Sequence, residues 1–172
     1  DSEMAEGSMW EAFQHAAIAG LENLTAIIDV NRLGQRGETM HGWDLDAYAN
    51  RAEAFGWKAL KIDGHDVQQI DKAYSEAVAT KGIPSVIIAR TTKGKGVSVV
   101  ENTNGAHGKP LPDTEAAIKE LGGIENVTFN VHPPTTNLAP RIFTTSKPGK
   151  VKYGIGDKVA TRRAYGDALA AL

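Results

Sequence analysis

Short apolar runs at 24–30, 57–62 and 84–89 alternate with segments of helical period, and no other feature constrains the fold as tightly. Each run has the length of a strand and is too short for a stable helix. The residues around them repeat every three to four positions: Trp10, Phe13 and Ala17, then Tyr48, Ala52 and Phe55, then Val67, Ile70, Ala73 and Ala77. This spacing predicts a helix over 7–19, with Ser8 and Glu11 as a capping box and Gly20 as its stop. It predicts a second helix ended by Gly56, and a third capped by Asp66 after the Asp63-Gly64 turn. Strands that alternate with such helices give an α/β domain whose parallel sheet is covered on both faces.

The texture changes from Thr91 onward. Lys93-Gly94-Lys95-Gly96 and Asn104-Gly105-Ala106-His107-Gly108-Lys109-Pro110 read as loops, because glycine admits backbone shapes that other residues resist. A short helix is expected at 113–121. Pro133, Pro134, Pro140 and Pro148 then spread over a stretch of little periodicity, which reads as an interdomain linker. Thr161, Tyr165, Leu169 and Leu172 begin another helix. The expected organisation is a first α/β domain at 1–125, a linker at 126–156 and the start of a second α/β domain at 157–172. An opening at Asp1-Ser2-Glu3 without Met, and a close inside the apolar pattern Ala168 to Leu172, suggest a chain cut at both ends.

Composition removes several classes of function. The 172 residues carry 19 Lys and Arg against 21 Asp and Glu, a formal charge of -2, and no cysteine. Thiolate zinc sites, disulfides and cysteine catalysis are excluded, and without a basic block there is no electrostatic footprint for nucleic acid. No apolar run approaches the roughly 18 residues of a membrane helix. A cytoplasmic domain that binds small molecules or proteins is the expectation.

Chemistry enters at Asp1 and Asn31. In a parallel sheet, ligands bind beyond the carboxyl ends of the strands, and Asn31 follows such an end. Asp1 would take the matching place one strand earlier if helix 7–19 is the crossover. A hard cation such as Mg²⁺ accepts a carboxylate, an amide oxygen and a main-chain carbonyl, and completes its octahedron with phosphate and water oxygens. A turn asparagine after a strand would be the plain alternative.

Asp1-Ser2-Glu3-Met4-Ala5-Glu6-Gly7-Ser8-Met9-Trp10-Glu11-Ala12, followed by Asp29-Val30-Asn31-Arg32-Leu33-Gly34-Gln35, resembles the thiamine-diphosphate motif of transketolases. The resemblance continues through Glu53 to Trp57, Asp63-Gly64-His65, Lys93 to Gly96, His107 to Pro110 and Gly156 to Arg162. It implies the thiamine-diphosphate-binding fold. It also implies that Asp1, the Asn31 side chain and the Leu33 carbonyl hold Mg²⁺, with Ca²⁺ or Mn²⁺ as substitutes. Ser2 stands where the family has glycine and would offer its amide to the cofactor diphosphate. Lys93 is similar to the lysine near that diphosphate, and Gln35 to a residue near the aminopyrimidine ring. His107 corresponds to the catalytic histidine that contacts the diphosphate and the donor sugar. His65 reads instead as a turn residue, and His15, His41 and His132 as structural or surface residues. Glu6 and Glu11 resemble glutamates that share protons across the subunit interface, although Glu11 also fits the capping box. Arg162 matches the arginine that grips the substrate phosphate, a task suited to its planar fork of donors.

The implied activity is transfer of a two-carbon ketol unit from a ketose phosphate such as xylulose 5-phosphate to an aldose phosphate such as ribose 5-phosphate, in the pentose phosphate pathway. The implied assembly is a homodimer. A dihydroxyacetone synthase, with formaldehyde as acceptor, carries a related motif, and a catalytically silent binding module of the same fold is the reading from another class. By the resemblance, the cofactor lies between two domains of different subunits, so the chain alone is expected to be inactive.

Overall fold

The computed structural model describes residues 1–131 and 149–171. Residues 132–148, which hold His132 and the four prolines of the expected linker, lie outside the described residues, as does Leu172. The chain divides into two compact units, Asp1–Asn126 and Val127–Leu172.

The first unit opens with a 3₁₀ turn at Ser2–Ala5 and then α1, Gly7–Ile18. Strand β1 (Thr25–Val30), α2 (Leu45–Ala54), β2 (Lys58–Asp63), α3 (Val67–Ala79), β3 (Ser85–Arg90) and α4 (Thr114–Glu120) follow. The strands form one parallel sheet in the order β1-β3-β2. Central position explains the composition of β3: Ser85 through Ala89 are all buried, so the strand is apolar without alternation. Thr25 and Lys58 both pair with Ser85, and Val30 and Asp63 both pair with Arg90. The two outer strands thus start and stop level with each other.

Helices cover both faces. On one, Phe13 and Ala16 of α1 and Tyr48, Ala49 and Ala52 of α2 pack with Ile28, Val30, Val86 and Ile88. Trp57 joins this core, its ring stacked on Phe13 at 4.4 Å. On the opposite face Ile87 and Ala89 are buried, as are Ala73 and Ala77 of α3, which touches β2 and β3. The alanines of α3 bring the helix backbone close to the sheet. Among the described residues no helix is long and apolar enough to cross a membrane.

Caps and stops follow local chemistry, with one correction. Asp44 accepts from the Ala47 amide, and Asp66 from those of Gln68 and Gln69. The expected Ser8 and Glu11 box does not form: α1 begins at Gly7, its N-cap is Glu6, and no side chain caps it. With the helix starting at Gly7, Ser8 is already inside the first turn, where its hydroxyl cannot receive the orphan amides. Gly56, at φ 90°, supplies the left-handed residue after α2. Gly64 is needed for space, because a Cβ there would lie 2.5 Å from Thr91 Cγ2 and 3.1 Å from the Arg90 carbonyl oxygen.

The Asp66 cap yields a first expected result. The Gln69 amide, then the Gln69 side chain and the Gln68 amide, hold the Asp66 carboxyl below its ordinary range. Asp66→Ala should lower the melting temperature at pH 7 by about 3–6 °C. A depressed folded-state value means that the stabilisation is complete above the ordinary Asp range and disappears as pH falls through the lowered value. Melting curves at neutral and acidic pH check this; a difference between the proteins that does not narrow in acid would refute it.

In the second unit, α5 spans Thr161–Ala170 and starts after Ala160 without a side-chain cap. Tyr153 donates to Asp167 Oδ2 at 2.8 Å, which holds the phenol above its ordinary range. The Gly154 amide donates to Asp157 Oδ2 at 2.6 Å.

Candidate functional site

Because the outer strands end level against Arg90, three loops leave the sheet at one end: 31–44 after β1, 64–66 after β2 and the segment from Thr91 after β3. The first and last of these are neighbours, since β1 lies beside β3. Asp1 joins them from the open side of β1, its ammonium donating to the Asp29 carbonyl at 3.0 Å. Burial lowers that ammonium's proton affinity.

These segments enclose a crevice of about 190 Å³ lined by Asp1, Ser2, Asn31, Leu33, Lys93 and His107 together with Glu3, Asp29, Gly34 and Gln35. Seven residues singled out by sequence therefore meet in one place. Glu6 and Glu11 stand elsewhere, exposed at the start and along the outside of α1. Arg162 lies in the first turn of α5 in the second unit and lines a separate pocket with Tyr153, Asp157 and Arg163.

The Asp1 carboxylate is fixed by two donors on one oxygen, the Arg32 amide at 2.7 Å and Thr39 Oγ1 at 3.2 Å. Asn31 is held in a local turn: its Oδ1 accepts from the Leu33 amide at 3.0 Å, and its Nδ2 donates to Asp29 Oδ2 at 3.1 Å. Asp29 also accepts from the Thr91 hydroxyl. The amide oxygen of Asn31 and the main chain of Leu33 are thereby brought to the same rim as Asp1.

Lys93 spans the crevice. Its ammonium donates to the Leu33 carbonyl at 2.9 Å and lies 3.0 Å from His107 Nδ1. An ammonium has donors and no acceptor, so Nδ1 accepts and the ring proton sits on Nε2, facing away from Lys93. Nε2 is thus the ring nitrogen that His107 can offer to a ligand. Glu3 adds a carboxylate at the edge, lowered first by a hydrogen bond from its own amide and then by the N-terminal ammonium.

The donor set suits a hard cation. Among the described residues no three His, Cys, Asp or Glu gather as a metal cage. One carboxylate, one amide oxygen and one carbonyl instead leave half of an octahedron to phosphate and water, as Mg²⁺ accepts readily. A carboxylate has about four lone-pair sites, so the two bonds on Asp1 Oδ2 leave it able to ligate.

Several participants have no local signature. Asp29 and Thr39 act as supports for Asn31 and Asp1. His65, read as a turn residue, is more specifically placed: its Nε2 accepts from the Thr92 amide at 2.8 Å and ties the turn after β2 to the segment leading to Lys93. The Asp63-Gly64-His65 motif was its one signal. A larger, more apolar pocket of about 460 Å³ adjoins the crevice behind Asp1 and Ser2, between Met4, Thr39, His41 and Tyr48. Burial pushes the Tyr48 phenol above its ordinary range.

Residues 1–143 match the family model for the thiamine diphosphate binding domain of transketolase. The whole chain is 43% identical to human transketolase and spans 28% of that protein's length. A solved transketolase from Campylobacter jejuni superposes with a TM-score of 0.65 at 32% identity, over 77% of this chain and 21% of that one. The Pichia stipitis transketolase in complex with sedoheptulose 7-phosphate gives 0.63 at 28% identity, over 75% of this chain and 19% of that one. With the family model covering most of the chain, the chain belongs to the transketolase family.

Proposed function

We propose that this chain is the cofactor-binding part of a transketolase that moves a two-carbon ketol unit between sugar phosphates. The observation that carries the reading is the convergence of Asp1, Asn31, Leu33, Lys93 and His107 on one crevice. In this reading Asp1, the Asn31 amide oxygen and the Leu33 carbonyl hold Mg²⁺ or a substitute such as Ca²⁺ or Mn²⁺. The Ser2 amide and the Lys93 ammonium bind the diphosphate of thiamine diphosphate, and Gln35 faces the aminopyrimidine.

When bound, the cofactor would supply a nucleophilic carbon centre and an electron sink for the two-carbon unit. The chain's own residues position and neutralise. Lys93, whose ammonium donates to the Leu33 carbonyl in this structure, would leave that oxygen to the cation and offset the diphosphate charge, and His107 would present Nε2–H to a diphosphate oxygen or a sugar hydroxyl. Arg162 grips the terminal phosphate of xylulose 5-phosphate or ribose 5-phosphate, and Glu6 and Glu11 share protons across a homodimer interface. The domain division at 125 and 156, the cytoplasmic location and the place in the pentose phosphate pathway belong to the same proposal.

The test uses a chimaera in which this chain replaces the matching 28% of human transketolase. With xylulose 5-phosphate, ribose 5-phosphate, Mg²⁺ and thiamine diphosphate it should form sedoheptulose 7-phosphate, while the isolated chain should form none. His107→Ala in the chimaera should slow turnover by about 10²-fold with an unchanged melting temperature. A chimaera that folds and binds cofactor yet uses formaldehyde in place of ribose 5-phosphate would instead indicate a dihydroxyacetone synthase. Full activity of His107→Ala would remove that residue from the chemistry.

A further inference from the structure

Among the described residues two that are not glycine hold positive φ, Arg32 at 64° and Asn102 at 51°. A Cβ makes that conformation costly, so each is kept there by its contacts. They contact one another: Arg32 Nε donates to Asn102 Oδ1 at 3.1 Å, across 70 residues of sequence.

Arg32 sits between the two candidate cation ligands, Asn31 and Leu33. Its amide donates to Asp1 Oδ2 at 2.7 Å, and its carbonyl accepts from the Thr39 amide at 2.8 Å. The left-handed turn lets the main chain serve Asp1 while the side chain runs toward the glycine-rich loop after β3. The guanidinium also pairs with Glu38 of its own loop and lies 4.8 Å from the centre of the Trp43 ring, which is fixed by a bond from Nε1 to the Thr91 carbonyl at 3.0 Å. Asn102 continues the connection, since its amide donates to the Lys93 carbonyl at 2.8 Å. The Lys93 side chain then returns to the Leu33 carbonyl at 2.9 Å. Arg32, Asn102, Lys93 and Leu33 form a closed circuit that joins the two loops of the crevice.

We propose that Arg32 is a positioning residue which, anchored on Asn102, sets the Lys93–His107 loop in register with the Asn31–Leu33 turn. That these loops carry the diphosphate and the cation rests on the function proposed above; the latch itself does not depend on it. One feature favours a latch over general stabilisation: the residues on either side of Arg32 are the ones that face the crevice.

Amide hydrogen exchange on the 172-residue chain tests the proposal without any cofactor. Arg32→Gly accepts the left-handed backbone and removes only the side chain, and Asn102→Gly does the same at the anchor. Each should speed exchange of the Lys95, Val97, Val100, Glu101 and Thr103 amides, all hydrogen-bonded in the intact loop, by about tenfold. The double variant should exchange no faster than Arg32→Gly, because the bond that Asn102→Gly removes is already lost there. Asn102→Asp should keep the wild-type pattern, since a carboxylate still accepts from the guanidinium. Amides of β1 and β3 should be unaffected. Wild-type protection of the loop in Arg32→Gly, additive effects in the double variant, or equal acceleration throughout β1 and β3 would each overturn the positioning role. An inactive chimaera would count against the proposed function and leave these exchange results standing.

Discussion

Asp1→Ala in the chimaera with human transketolase should raise the Mg²⁺ concentration needed for half-maximal cofactor binding by about 10²-fold, corresponding to roughly 2.7 kcal/mol. Asp1 provides the one charge in the candidate ligand set, and the Asn31 amide and Leu33 carbonyl cannot replace it. The substitution also leaves the Arg32 amide and Thr39 hydroxyl without the acceptor they share. Asp1→Asn separates these effects, because a neutral amide oxygen can still accept both bonds. If charge dominates, Asn should be almost as damaging as Ala; if the hydrogen bonds dominate, Asn should recover most of the affinity. Titration calorimetry with thiamine diphosphate at several Mg²⁺ concentrations measures both. Unchanged affinity and unchanged Mg²⁺ dependence in Asp1→Ala would take this residue out of the site.

The largest effect on folding should come from Trp57→Ala, with a loss of about 3–5 kcal/mol in urea unfolding of the chain. Trp57 is 4% exposed, its ring is stacked on Phe13, and its Nε1 donates to the Phe13 carbonyl at 2.7 Å. Alanine would remove the ring from a junction between α1 and the start of β2 and leave a cavity that neither can close. Against a total of roughly 5–15 kcal/mol for a domain, such a loss is a large share of the whole stability. Trp57→Phe keeps most of the ring volume and forfeits the hydrogen bond, so its cost should be about 1–2 kcal/mol. Equal losses for Phe and Ala would show that the bond outweighs the packing.

Elements and ligands differ in how far they could be read from sequence. The strands were legible because burial on both faces leaves a continuous apolar run, as in Ser85 to Ala89, and the helices because α2 and α3 show one apolar face each. Asp44 and Asp66 cap where a local rule places such residues; the rule failed at Ser8, where the same short pattern lay one step inside the helix. Asp1, Asn31, Lys93 and His107 stood out through motif context, and the structure places all four around one crevice. Their supports were hidden. Nothing near Arg32 announces that it bonds to Asn102, nothing near Thr39 that it serves Asp1, and nothing near Asp29 that it orients Asn31. Such partners are chosen by the folded arrangement of loops 31–44 and 91–108, and local periodicity carries no record of it.

The level ending of β1 and β2 against Arg90 has a consequence for how such a protein can change over time. Folding information lies mainly in the strands and in the helix faces that cover them, whereas chemistry lies in loops that begin after the last paired residue. A substitution at Gln35 or His107 alters what the crevice offers while Val86 and Ile88 continue to hold the sheet. Selection can therefore explore new ligand contacts at one end of this sheet with little penalty to the frame that supports them. The cross-loop pair of Arg32 and Asn102 is the exception: a change on one loop there must be answered on the other.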